Sequence, residues 1–175
     1  MDYSEELARA KEEFERSWTI YEFLRDNLLE EDPTSELFHT ANKQTDRDIR
    51  DKISEKTIAL RNSVINGEDM ERTIEEGSGV WYWTALSCIR NGIRYDELNP
   101  HKIIMEGYQK GMSDVVETPL AYIDLNSLKE SVARSAKRML DYLGMVLSEA
   151  EVSPVEIAQY NLQKMRQKPY LHHLF

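Results

Sequence analysis

Two sets of side chains in this chain have the types and spacing to do chemistry. Asp48, Asp51 and Glu55 recur at steps of three and four, and Glu75-Glu76 stands one turn before the apolar run Val80-Trp81-Tyr82-Trp83. Acids spaced in this way project from one face of a helix, so the two groups could converge on a cation. The second set is basic. Arg134, Lys137 and Arg138, then Lys164, Arg166 and Lys168, fall in the C-terminal third, where they could meet phosphate. A solvated face is the competing reading of the Asp48/Asp51 and Glu68/Glu71 pairs, because acids are common throughout the chain. The aromatic run divides as well: three consecutive rings on a helix cannot all face inward, so one or two are core and the rest form a stacking platform or a dimer contact.

The elements that must position these groups read as helices throughout. Leu7, Ala10, Phe14, Ser17, Tyr21, Leu24 and Leu28 form a stripe that predicts a first helix from Ser4 to about Glu31. A short helical piece over Glu36-Leu37-Phe38-His39 follows the turn at Asp32-Pro33. Ile49, Ile53, Thr57, Leu60 and Val64 predict a helix from Asp46 to Asn66, stopped by Asn66-Gly67. The next runs from Glu68 to Asn91-Gly92 with Ile74, Trp81, Ala85 and Cys88 inward. Its Gly77 and Gly79 each cost about 0.8–1 kcal/mol relative to Ala, which calls for close helix packing or a ligand near the backbone. A further helix starts at Asn99-Pro100, and 113–125 is a long non-helical connection. The stripe from Leu125 to Val146 is the cleanest in the chain. Ser153-Pro154-Val155-Glu156 is a capping box for a last helix ending near Lys168, before Pro169. The apolar end, Tyr170 to Phe175, is expected to dock on the bundle or on a partner subunit. Short loops favour an antiparallel bundle of five to seven helices in a single all-α domain, 1–175.

The 175 residues carry 32 Asp or Glu against 22 Lys or Arg, a net charge of −10. That charge disfavours duplex nucleic acid. The acidic N-terminus and the lack of a long apolar run argue against export and membrane insertion, and the lone Cys88 fits a reducing, cytoplasmic setting in which it is a packed apolar residue.

Two blocks carry a family resemblance. Glu75, Glu76, Val80, Trp81, Tyr82, Gly92, Ile93 and Glu97 make the first, and Asn161, Lys164 and Arg166 the second. Together they resemble the all-α nucleoside triphosphate pyrophosphohydrolases, the MazG-like group. Each block covers about twenty residues. In that group one helix carries Glu-x-x-Glu, the next Glu-Glu-x-x-Asp, and a later one Asn-x-x-Lys with a nearby Arg. This chain has Ile53-Ser54-Glu55-Lys56 in the first place and Gly79 at the Asp of the second. Laying Trp81 to Leu98 over Asp141 to Ile157 also gives the pattern of a duplicated helical hairpin.

The resemblance implies Mg²⁺ held by Glu75 and Glu76 with Asp51 and Glu55. A carboxylate among Glu55, Glu75 and Glu76 would serve the chemistry, Lys164 and Arg166 would contact phosphates, and Asn161 and Trp81 would hold the nucleotide. It further implies a nucleoside triphosphate substrate, release of pyrophosphate, and a homo-oligomer. The alternative is a non-catalytic acidic helical protein, a dimeric scaffold or an inhibitor, that binds a basic partner protein.

Overall fold

The computed structural model describes residues 2–27, 46–111 and 129–175. The expected short helix at Glu36 to His39 and the connection over 113–125 lie outside them. The described residues form six helices of at least 11 residues: α1 (Tyr3–Asn27), α2 (Asp46–Ile65), α3 (Met70–Arg90), α5 (Pro100–Lys110), α6 (Lys129–Glu149) and α7 (Pro154–Arg166). Between α3 and α5 lies the single turn α4 (Tyr95–Leu98), and a 3₁₀ helix at Pro169–Leu174 closes the chain. No strand occurs among the described residues, so the fold is the expected all-α bundle.

Local chemistry sets the helix ends. Gly67 and Gly92 adopt φ of +65° and +72° directly after α2 and α3, the left-handed stop expected of Asn-Gly. Asp69 caps α3 by accepting a 2.9 Å bond from Arg72 N–H. At α7 the capping box is complete: Val155 N–H donates to Ser153 Oγ at 3.3 Å, and Ser153 N–H donates to Glu156 Oε2 at 3.2 Å. Pro154 fills the first position, where its missing N–H costs nothing.

Helix α3 is the centre of the bundle, packed on α1, α2, α6 and α7. Surrounded on so many sides, it buries far more than one stripe. Val80, Trp81, Trp83, Ala85, Leu86, Cys88 and Ile89 are all buried. Trp81 is wholly enclosed and meets Phe14 of α1 edge to face at 4.8 Å. Its indole N–H donates to Ser17 Oγ at 3.0 Å, and the Ser17 hydroxyl in turn donates to Phe14 O at 2.9 Å. An aromatic pair of this geometry contributes about 1 kcal/mol beyond its area. Cys88 lies in the same core, and burial pushes its thiol up to about 12, so it is the packed residue expected.

Among the described glycines, the tightest approach to another backbone lies between α5 and α6 rather than on α3. A Cβ on Gly144 would stand 2.1 Å from Ile104 O, and one on Gly107 would stand 2.3 Å from Asp141 O. The α3 glycines face side chains instead. A Cβ on Gly77 would meet Ile157 Cδ1 at 2.8 Å, and one on Gly79 would meet Lys56 Cδ at 2.8 Å. At the chain end, the 3₁₀ helix is tied down as expected. His172 Nε2 bonds Arg166 O at 2.9 Å, and the His173 ring packs edge-on to Phe23 of α1 at 5.2 Å. No helix among the described residues is long and apolar enough to cross a membrane.

Candidate functional site

Two turns of α3 face a cavity rather than a helix. Glu75, Ser78, Gly79, Tyr82 and Trp83 form one wall of a space of about 330 Å³. Lys56 of α2 and Tyr21 of α1 close two sides, and Asn161, Lys164 and Met165 of α7, with Gln167 and Lys168 beyond it, close the rest. Ligand sites for small molecules fall at about this size and larger. The cavity brings three lysines to one space with a single glutamate, so its lining carries an excess of positive charge on a protein whose total is −10.

Specific contacts hold several of these groups. Asn161 Nδ2 donates to Ser78 O at 3.0 Å, which ties α7 to α3 and orients the amide. The Lys164 ammonium of an otherwise exposed side chain lies 4.8 Å from the centre of the Tyr160 ring, a cation–π contact. Tyr82 packs edge-on against Tyr21 at 4.8 Å and against Trp83 at 5.4 Å, giving an aromatic wall. The Tyr21 hydroxyl is buried and makes no hydrogen bond, although Ser17 and Trp81 stand close by. Burial first, and the neighbouring Tyr82 second, push its phenol well above the ordinary tyrosine range, so it is a neutral donor.

Beneath the wall lies Glu76, almost fully buried. Arg72 Nη2 approaches its Oε1 at 3.2 Å and Lys56 Nζ approaches its Oε2 at 3.5 Å, but Oε2 has no hydrogen bond. Lys56 reaches this position because Gly79 has no side chain, leaving a notch for the lysine stem.

The sequence-selected residues therefore separate. Glu75, Asn161 and Lys164 line the cavity together. Glu76 lies behind it, neutralised by Lys56 and Arg72. Glu55 is exposed and pairs with Lys52 at 3.5 Å, and Asp51 is exposed. Arg166 is exposed, does not line the cavity, and rests over the Phe175 ring at 5.1 Å. Trp81 is sealed in the core, and the rings that line the cavity are those of Tyr21, Tyr82 and Trp83.

No group of three or more His, Cys, Asp or Glu able to hold a metal occurs among the described residues. The carboxylates Asp51, Glu55, Glu75 and Glu76 do not assemble the oxygen cage that Mg²⁺ requires, and two cationic side chains already contact Glu76. Lys56 and Tyr21 line the cavity although the sequence assigns neither to a site: Lys56 is only the residue after Glu55, and Tyr21 belongs to a core stripe. Only the opposition of Lys56 to Gly79, across two helices, could have marked it.

Comparison with protein-family models, with characterised proteins and with solved structures finds no match to this chain.

Proposed function

We propose that the protein binds a nucleotide-like ligand, an anionic phosphate group carrying an aromatic ring, in the cavity between α1, α2, α3 and α7. One observation carries the reading: Lys56, Lys164 and Lys168 share a single concave space with the Tyr82 and Trp83 rings and the oriented amide of Asn161. Phosphate oxygens suit the lysines, which act as mobile point charges on dianions. A base suits the aromatic wall, against which stacking contributes about 1–3 kcal/mol. The Asn161 amide supplies an acceptor and a donor for the ring edge.

The MazG-like resemblance supports the same ligand class through Asn161 and Lys164 at its second block. Hydrolysis to pyrophosphate by the resembling group relies on a carboxylate-held metal, and the donor set described above does not fit one. The proposal is therefore binding, with no metal-dependent step.

A thermal-shift panel tests it: nucleoside mono-, di- and triphosphates, each with Mg²⁺ and with chelator, alongside a pyrophosphate-release assay. A ligand at one hundred times its Kd stabilises by about 2.7 kcal/mol. For a chain of this length that raises Tm by roughly 5–10 °C. No shift with any nucleotide refutes the reading, and release of pyrophosphate replaces it with an enzymatic one.

A further inference from the structure

Lys56 belongs to two environments at once. Its ammonium lies 3.5 Å from Glu76 Oε2, while its side chain, about 30% exposed, also lines the cavity. The pairing is incomplete, since Oε2 is buried and has no hydrogen bond at all. Glu76 does not depend on Lys56 alone, because Arg72 holds the opposite oxygen at 3.2 Å. The lysine stem is guided into place by Gly79, where any Cβ would come within 2.8 Å of its Cδ and 3.1 Å of its Cγ.

Resting on the anion-binding reading above, we infer that Lys56 is a shared cation that sets the cavity's affinity and its independence of metal. In the structure its ammonium neutralises a buried carboxylate; when a phosphate enters, the same ammonium turns to the phosphate and Arg72 alone holds Glu76. The tethered ammonium supplies the positive charge that a free divalent ion would otherwise bring between a carboxylate and a phosphate. Glu76 thus restrains binding, because its attraction for Lys56 is spent when the ligand takes the lysine over. Gly79 favours binding by keeping the stem on the cavity side of α3. No covalent step is involved.

Calorimetric titration with ATP and with inorganic pyrophosphate, in chelator, reads the arrangement. Lys56→Met weakens binding of both at least tenfold. Glu76→Gln strengthens it several-fold, since the lysine is released. Gly79→Ala, which alters no charge, weakens it several-fold by displacing the stem. Lys56 is partly exposed, so Lys56→Met and Gly79→Ala carry the test if Glu76→Gln does not fold. Wild-type binding that Lys56→Met leaves unchanged overturns the inference and leaves the cavity reading standing. Binding that appears only when Mg²⁺ is added overturns it as well. Absence of binding by wild type with or without Mg²⁺ removes both.

Discussion

Alanine at Gly144 probes the tightest contact made by any described glycine. The added methyl would lie 2.1 Å from Ile104 O and 2.7 Å from Tyr108 N, whereas real Cβ atoms essentially never come within 3.0 Å of a neighbour. The shortfall is about 0.9 Å against backbone, which has no rotamer to change. Helices α5 and α6 must therefore part by roughly that distance, and a gap of 0.5–1 Å forfeits a quarter to a half of the dispersion attraction across it. Overpacking of this kind costs about 1–3 kcal/mol and occasionally more. The higher helix propensity of Ala returns about 1 kcal/mol. A clash with backbone belongs at the upper end, so the net loss is about 2 kcal/mol, or roughly 4–8 °C in Tm. Gly77→Ala is the internal control. Its methyl meets the tip of the Ile157 side chain at 2.8 Å, which rotates away, and the same propensity gain offsets the adjustment. Gly77→Ala should stay within about 1 kcal/mol of wild type. Urea unfolding followed by circular dichroism measures both. If Gly144→Ala proves as stable as wild type, or Gly77→Ala the costlier of the two, the assignment of the tight crossing to α5 and α6 is refuted.

Acid should destabilise the fold through His101. Burial, then Lys11 and Lys102, lowers its pKa to about 4 from 6.5, and its Nδ1 shares a 2.8 Å hydrogen bond with the hydroxyl of Tyr95, whose phenol is itself raised by burial. The unfolded chain takes up the proton first, so this contribution is complete above pH 6.5 and is lost as pH falls towards 4. It amounts to about 3 kcal/mol, and replacing His101 by Gln should flatten the stability profile in that window. Trp81→Phe loses the bond to Ser17 and core volume, and should cost about 2 kcal/mol in urea unfolding while leaving nucleotide affinity unchanged. Trp83→Ala, on the cavity wall, should lower nucleotide affinity at least fivefold by calorimetry. Cys88 should resist a thiol-specific chromogenic reagent at pH 8 until denaturant is added, because its thiol is buried and its pKa is raised to about 12.

What could be read from the sequence was whatever is encoded within one turn. Asn66-Gly67, Asn91-Gly92 and the Ser153 box act over three or four residues, and each ends or starts a helix where expected. The stripes of α1 and α6 face the core for the same reason. The α3 helix escaped this logic. A single-stripe pattern picks Trp81, Ala85 and Cys88, but four neighbours enclose the helix, so Trp83 and Leu86 are buried too, and the cavity falls to Tyr82 and Trp83. The glycines show the same limit. Gly77 and Gly79 stand out in sequence, yet the close backbone crossing belongs to Gly107 and Gly144, which no local rule distinguishes. Of the residues that line the cavity, Glu75, Asn161, Lys164 and Lys168 stand out in the sequence. The Lys56 contact with Glu76 does not, because it depends on how α2 lies across α3.

The three consecutive rings of α3 have an optical consequence. Successive positions on a helix differ by about 100°, which turns Trp81 to the dry interior and Trp83 to the cavity wall. With Trp18 also buried beside Trp81, two of the three tryptophans should emit in the blue and ignore added ligand. The third should carry whatever change in colour or quenching the cavity produces, so unlabelled protein contains both its own reference lamp and its own detector.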